Sequence, residues 1–428
     1  VQQIKKINNP FDINNINQTC IGFLSSGIFF ITLILAFVTS YPSHKYYGIE
    51  LNISYIKLIE FLSYHALITY LFIYNKRHSF ILFNFIFYCF VIAPIYCYYA
   101  TADQPRIYMS AILIGHVMIV LFTIYLPSAI FPRINRQQSS FITFMMILSV
   151  IALTFIFFVT LRGLPDLSLL DISTVYEYRS GLESSFLLEY LRSMLVYAVA
   201  PLLIPLFFFY RRYFFLLLTL AMIMVTFLYT GSRIIFMLVF FMIVFTILMQ
   251  LKRPITLGFL GLSALFGTVT FLNGTDFYFI SHFIFFRPIE TPAWLTFVYY
   301  EIFSSRENYY LIENFDSSVY PAPQLVGDIL FPYDPNSWAN VGFIGHAYYN
   351  FGIQGIILFS IILGLILAFS KSIADKNIIF FMPFLMILAV NLASVNLLTI
   401  LINRGYLFGF ILLFLLSSAI KRNNEKIS

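Results

Sequence analysis

The chain has 428 residues, of which 60% are hydrophobic and only 10% charged, with 52 Phe, 30 Tyr and a formal net charge of +6. Soluble domains carry about 25% charged residues, so this composition excludes an ordinary soluble protein and predicts an all-α polytopic membrane protein. The three cysteines, Cys20, Cys89 and Cys97, lie in apolar stretches without metal-ligand spacing, which argues against a disulfide framework or a zinc site.

The polar start, residues 1–17, carries Lys5 and Lys6 but no small-residue cleavage pattern, so the first span is expected to stay as an anchor. A membrane-crossing helix needs roughly 20 mostly apolar residues. On that criterion about twelve spans are predicted, near 19–39, 51–73, 80–100, 107–127, 141–161, 186–210, 213–230, 232–250, 255–273, 343–370, 378–397 and 405–420. The turn through Thr230, Gly231, Ser232 and Arg233 makes the seventh and eighth a tight hairpin. The whole chain, 1–428, reads as a single transmembrane domain with two large loops, 161–185 and 274–341.

Basic residues set the orientation. With the amino terminus inside, 15 of the 25 Lys and Arg fall on inner segments, among them Arg211, Arg212, Lys252, Arg253 and Lys371. Both termini are therefore expected in the cytoplasm and both large loops outside. The net charge follows from topology and calls for no nucleic-acid partner. The bases also differ in kind, with eight Lys and seven Arg inside but eight Arg and two Lys outside. Arg binds phosphate oxygens bidentately and is weakly hydrated, so the outer face is expected to meet an anion. Pairing with the outer carboxylates is the alternative.

Residues 161–190 and 274–341 together hold 13 of the 19 acidic residues, and the second stretch holds both tryptophans. Aromatic faces stack on sugar rings and carboxylates accept hydroxyl hydrogen bonds, which suits a polyhydroxylated ligand. Trp294 and Tyr278 are expected as interfacial anchors, and Trp338, beside Asn336 and Asn340, as a site residue. A connection this long is usually functional, and its aromatic content argues against disorder. Residues 288–303 are predicted as an amphipathic helix on the membrane surface, and 320–338 as ordered turns.

Two helix starts carry chemistry. A helix amino terminus is a weak anion site, and at the eighth span Ser232 adds a cap and Arg233 a full charge. The tenth span opens with residues 340–355, whose glycines allow close backbone approach. There His346, Tyr349 and Asn350 are spaced to share one face. Arg192 and Arg404 sit near the outer ends of the sixth and twelfth spans, where charge is costly and points to function. Glu189 can pair with Arg192 at i, i+3. No Asp-x-Asp, Walker, His-Glu-x-x-His or Gly-x-Ser-x-Gly motif occurs, which argues against nucleotide-driven and metal-hydrolase chemistry.

The Gly-Ser-Arg turn at 231–233 and the large outer loop precede a segment of form Asn-x-Gly-x-x-Gly-x-Ala-Tyr-x-x-Phe-Gly-x-x-Gly at 340–355. Together these features resemble the O-antigen polymerase (Wzy) family. The topology is similar throughout, while the specific motifs are confined to 230–233 and 340–355. The resemblance implies a GT-C-like glycosyltransferase of the bacterial inner membrane, using no nucleotide sugar, cofactor or metal. It would move a glycan from undecaprenyl diphosphate to another lipid-linked repeat unit on the periplasmic face. Its partners would be undecaprenyl-diphosphate-linked oligosaccharide and polysaccharide, membrane lipids and a chain-length regulator protein.

Carried over by position, Arg233 is the leading diphosphate ligand. Arg162, Arg179, Arg192, Arg287, Arg306 and Arg404 are further candidates by location, with Ser232, Trp338, Asn340, Tyr349 and Asn350 as substrate contacts. Transfer needs a base to take the acceptor hydroxyl proton, expected at His346 with Glu290 and Asp328 as rivals. One departure stands: none of Arg162, Arg179, Arg287 and Arg306 is followed by Gly at the ten- or eleven-residue spacing described in some members. An O-antigen ligase, or a lipid-linked oligosaccharide flippase or other transporter, is the alternative reading.

Overall fold

The computed structural model describes residues 13–45, 48–74, 80–128, 135–162, 186–230, 234–314, 318–333, 337–374 and 378–419, and its regular structure is helical. In chain order the elements are α1 (Ile13–His44), α2 (Tyr55–Tyr74), α3 (Ile81–Thr101), α4 (Arg106–Tyr125) and α5 (Arg136–Arg162). Next come α6 (Phe186–Phe209), α7 (Tyr213–Thr230), α8 (Ile234–Leu248), α9 (Pro254–Asn273) and α10 (residues 278–303). The chain closes with α11 (Ala322–Leu330), α12 (Phe343–Ala374), α13 (Ile378–Asn391), α14 (Leu397–Leu401) and α15 (Tyr406–Ala419).

Among the described residues, nine helices are long and apolar enough to cross a membrane: α1 to α7, α9 and α12. The protein is thus a multi-pass membrane protein. These nine fall on nine of the predicted spans. The other three predicted positions hold shorter apolar helices, Met237–Leu248, Phe381–Asn391 and Tyr406–Ser417.

Two helices form the centre. Every described side chain of α3 is buried, as is α13 from Phe381 to Ala389, and the two pack against each other. A helix that is apolar all round belongs in such a core. Around them α1 runs parallel to α9, with Gly22 near Thr256 at one end and Thr39 bonded to Asn273 at the other. Helix α4 runs parallel to α12 in the same way, from the Tyr108–Tyr348 ring contact down to Lys371, whose Nζ donates to the carbonyls of Ile124 (3.2 Å) and Leu126 (3.4 Å). That lysine satisfies the carboxyl end of α4, where a cation is favoured.

Two spans contain a π-turn, Tyr88–Ile92 in α3 and Leu195–Val199 in α6. Each is followed at once by an Ala-Pro pair, Ala93-Pro94 and Ala200-Pro201. Proline has no N–H and crowds the preceding turn, and the wider π-turn relieves that clash.

The end of the bundle that carries residues 274–341 is here called the loop end. The described residues of that stretch do not form an open loop. Helix α10 begins as Tyr278–Ser281, widens into a π-helix at His282–Glu290 and continues as Thr291–Phe303. It lies across the ends of α1, α3, α4 and α9 and buries Trp294, Leu295, Phe297 and Tyr299. This corrects two expectations. Residues 288–303 are enclosed by the bundle ends instead of lying on the membrane surface, and Trp294, 5% exposed, is a core residue and no interfacial anchor. The helix has apolar bundle ends to bury against, and from residue 284 to 303 only Arg287 and Glu301 are exposed. Tyr278 is exposed. The predicted turns at 320–338 contain the short helix α11.

Candidate functional site

Helix α12 breaks near the loop end. Phe351 (φ −140°, ψ 16°) and Gly352 (φ 62°, ψ −153°) leave helical geometry, and the latter pair of angles is open essentially to glycine alone. The chain after α10 seats itself in the break. Tyr309 N donates to Tyr349 O (3.0 Å), Tyr310 N to Asn350 O (3.1 Å) and Leu311 N to Asn350 Oδ1 (2.7 Å). Tyr310 and Leu311 take left-handed φ values of 51° and 64° to do so. Such strain collects at functional sites. Glu313 completes the join, accepting from the Tyr349 hydroxyl and from Ala322 N (2.8 Å) at the start of α11.

Within this cover His346, Tyr349 and Asn350 lie together, as their spacing predicts. The His346 ring is 5.1 Å from that of Tyr349 and 5.8 Å from Phe359, and the residue is buried. Asn350 Nδ2 donates to His346 O (2.9 Å) and lies 3.4 Å from Nε2, while Nδ1 has no hydrogen-bond partner. A buried polar atom without a partner asks for an explanation.

The two rival bases are elsewhere. Glu290 closes the π-helix of α10 and is fully buried, with Oε2 accepting from Ser40 Oγ (2.6 Å) and Oε1 unpartnered. Burial pushes its carboxyl up to about 8 against the opposing bond from Ser40. The carboxyl thus faces Ser40 of α1 inside the bundle, apart from the His346 cluster. Asp328 on α11 is partly exposed and accepts from the Tyr320 hydroxyl. Trp338 and Asn340 are exposed near it.

The arginines divide. Arg192, at the loop end of α6, pairs with Glu189 as the i, i+3 spacing predicts. Arg404, in the turn before α15, stands 4.3 Å over the Tyr197 ring. Burial, and then Arg192 beside it, bring its guanidinium down to about 10. Among the described residues no carboxylate lies within 4 Å of Arg404. Arg287 is exposed on α10, its Nε donating to His282 Nε2 (3.1 Å), and Arg306 is exposed on the turn that follows. Arg179, Ser232 and Arg233 lie outside the described residues, as does the side chain of Arg162, which closes α5.

Helices α6 and α15, which run from Arg192 and Arg404 towards the far end, line an apolar groove of about 880 Å³. Leu203 and Phe207 of α6, Leu416 of α15, Ile151 of α5 and Met222 of α7 form its walls. A smaller apolar crevice of about 410 Å³ lies on the other side of α7, against α8.

Sequence reasoning passed over Glu313 and two histidines. His65 shares hydrogen bonds with Ser26 (2.6 Å) and Tyr88 (2.7 Å), and His116 with Tyr64 (2.6 Å). Their signal was available, since histidine in the middle of an apolar span is costly. Comparison with protein-family models, curated proteins and solved structures gives no match.

Proposed function

We propose that this protein is a membrane glycosyltransferase of the O-antigen polymerase kind. In this reading it joins repeat units carried on undecaprenyl diphosphate at the loop end, taken as the periplasmic face of a bacterial inner membrane. The observation that carries the reading is the pairing of Arg192 and Arg404 with the groove. Two helices that contribute to the wall of an apolar groove, α6 at Leu203, Leu206 and Phe207 and α15 at Leu416, each have an arginine towards the loop end, and one has no carboxylate partner among the described residues. A long-chain lipid with an anionic head has that shape and charge. Arg233 and Arg162, which follow α7 and close α5 in the sequence, belong to the same proposal as anion ligands.

The reaction follows from those parts. An acceptor sugar hydroxyl attacks the anomeric carbon of the donor glycan and forms the new C–O bond. The bond from that carbon to the diphosphate oxygen breaks, and the lipid diphosphate leaves with the electron pair. Arginines preorganised at the departing oxygens lower that barrier. His346 is the base assigned to the acceptor proton. In this reading residues 309–313, which bond Tyr349 and Asn350 beside it, lift from the break in α12 to admit the acceptor. A GT-C-like architecture and a chain-length regulator partner belong to the same proposal.

The decisive test is the lipopolysaccharide and carrier lipid of a strain lacking the protein. A polymerase predicts core carrying a single repeat unit. Long polymer left on carrier with bare core indicates a ligase. Units retained on the cytoplasmic side indicate a transporter, the reading that the paired histidines inside the bundle favour.

A further inference from the structure

Residues 337–341 carry a separate surface. Trp338 and Asn340 are exposed while Ala339 and Val341 are buried, so burial alternates along this stretch. That backbone is held from three directions. Ala339 N donates to Pro323 O (2.9 Å), and Ala339 O accepts from the Tyr299 hydroxyl (2.8 Å). On the third side α11 passes so closely that a Cβ at Gly327 would lie 1.9 Å from Ser337 O. An indole left 55% exposed on a fixed backbone contrasts with the buried Trp294.

Helix α11 also brings a carboxylate. Asp328 follows Gly327, whose position abuts Trp338 N, and takes a hydrogen bond from the hydroxyl of Tyr320, itself 46% exposed. Glu313 ties the start of α11 to Tyr349 of α12. Two aromatic rings, a carboxylate and an amide thus stand on one braced unit beside the His346 segment.

We propose that Trp338, Tyr320, Asp328 and Asn340 form a saccharide platform that holds a glycan against the loop end. Aromatic faces take the C–H faces of a sugar ring, while Asp328 and Asn340 bond its hydroxyls. A membrane anchor is the competing occupant. It needs neither a locked backbone nor a carboxylate, and burying Asp328 in lipid would be costly. The platform rests on the function proposed above only for which glycan it holds.

The chain's two tryptophans make the test direct. In nanodiscs, iodide should quench exposed Trp338 and spare Trp294. The probe is the lipid-free repeat-unit oligosaccharide released by mild acid from the source strain's carrier lipid. The expected result is saturable protection of Trp338, with half-saturation weakened about tenfold in Asp328→Asn and again in Tyr320→Ala. Trp338→Phe should remove the quenchable signal, which assigns it. Absence of protection overturns the platform, and so does quenching of Trp338 by lipids brominated near the headgroup. Arg404→Ala should retain protection, so a failed reaction mechanism and a failed platform give different results.

Discussion

One side of this bundle is stitched by a run of side-chain contacts between helices, whereas beside the groove Ser139 Oγ of α5 donating to Leu415 O of α15 is a cross-helix bond to backbone. On the first side Ser26 of α1 meets His65 of α2, His65 meets Tyr88 of α3, Tyr64 meets His116 of α4, and Asn84 Nδ2 donates to Thr123 Oγ1 (2.8 Å). Around the groove the hydroxyls of Thr143, Thr154, Thr219 and Thr226 all donate to carbonyls of their own helix. Helix α7 has an apolar cavity on each side, and Ala221 lines both. Interhelical hydrogen bonds fix register in a bilayer, where apolar contact alone competes on even terms with lipid tails. The stitched side is therefore a frame, and in the proposed function the side holding Arg192 and Arg404 is the part a lipid chain would enter and leave.

The comparison breaks most sharply at Arg404. Arg404→Ala should lower polymerisation by about a hundredfold or more while membrane insertion is unchanged, with partial recovery in Arg404→Lys. Normal O-antigen ladders from the alanine variant would separate the groove from function. Next comes the break in α12. Gly352→Ala forces an alanine into a glycine-only conformation at a cost of about 1–3 kcal/mol, so a lower thermal midpoint and a several-fold activity loss are expected. An unchanged midpoint would show that the break is not held by that residue.

A smaller effect is expected from filling the groove wall. Ala221→Trp should raise the apparent KM for the lipid donor with little change in kcat, whereas a purely structural role would lower the thermal midpoint and leave KM alone.

The smallest effect concerns the frame. Glu290 binds its proton more tightly folded than unfolded, about 8 against 4.5. Its contribution to stability is therefore present at low pH and lost as pH rises through that window. Glu290→Gln should flatten the stability profile between those values and raise the midpoint at neutral pH by a few degrees, measured by thermal unfolding in detergent.

Much of the frame was legible. Span positions followed from apolar runs, and the Glu189–Arg192 pair and the His346, Tyr349 and Asn350 face followed from helical spacing. Helix α10 was not. Arg287, Glu290 and Glu301 make it read as polar, yet two of these face outward and the third is buried beside Ser40. A one-dimensional average cannot separate a charged surface from a charged interior. The break at Gly352 was equally hidden, because glycine there reads the same whether it serves close packing or a left-handed turn. Glu313 acts through Tyr349 and Ala322, contacts 36 and 9 residues away that no local pattern announces.

The position of that break also sets a depth. From Ile353 to Lys371 the unbroken part of α12 has about 19 residues, a rise of roughly 28 Å, close to the hydrocarbon thickness of a bilayer. Lys371 favours the headgroup boundary at one end, which puts Gly352 at the opposite boundary. His346 and Asn350 then stand above the acyl chains, at the level where, in the proposed function, a carrier lipid's phosphates and first sugar would emerge.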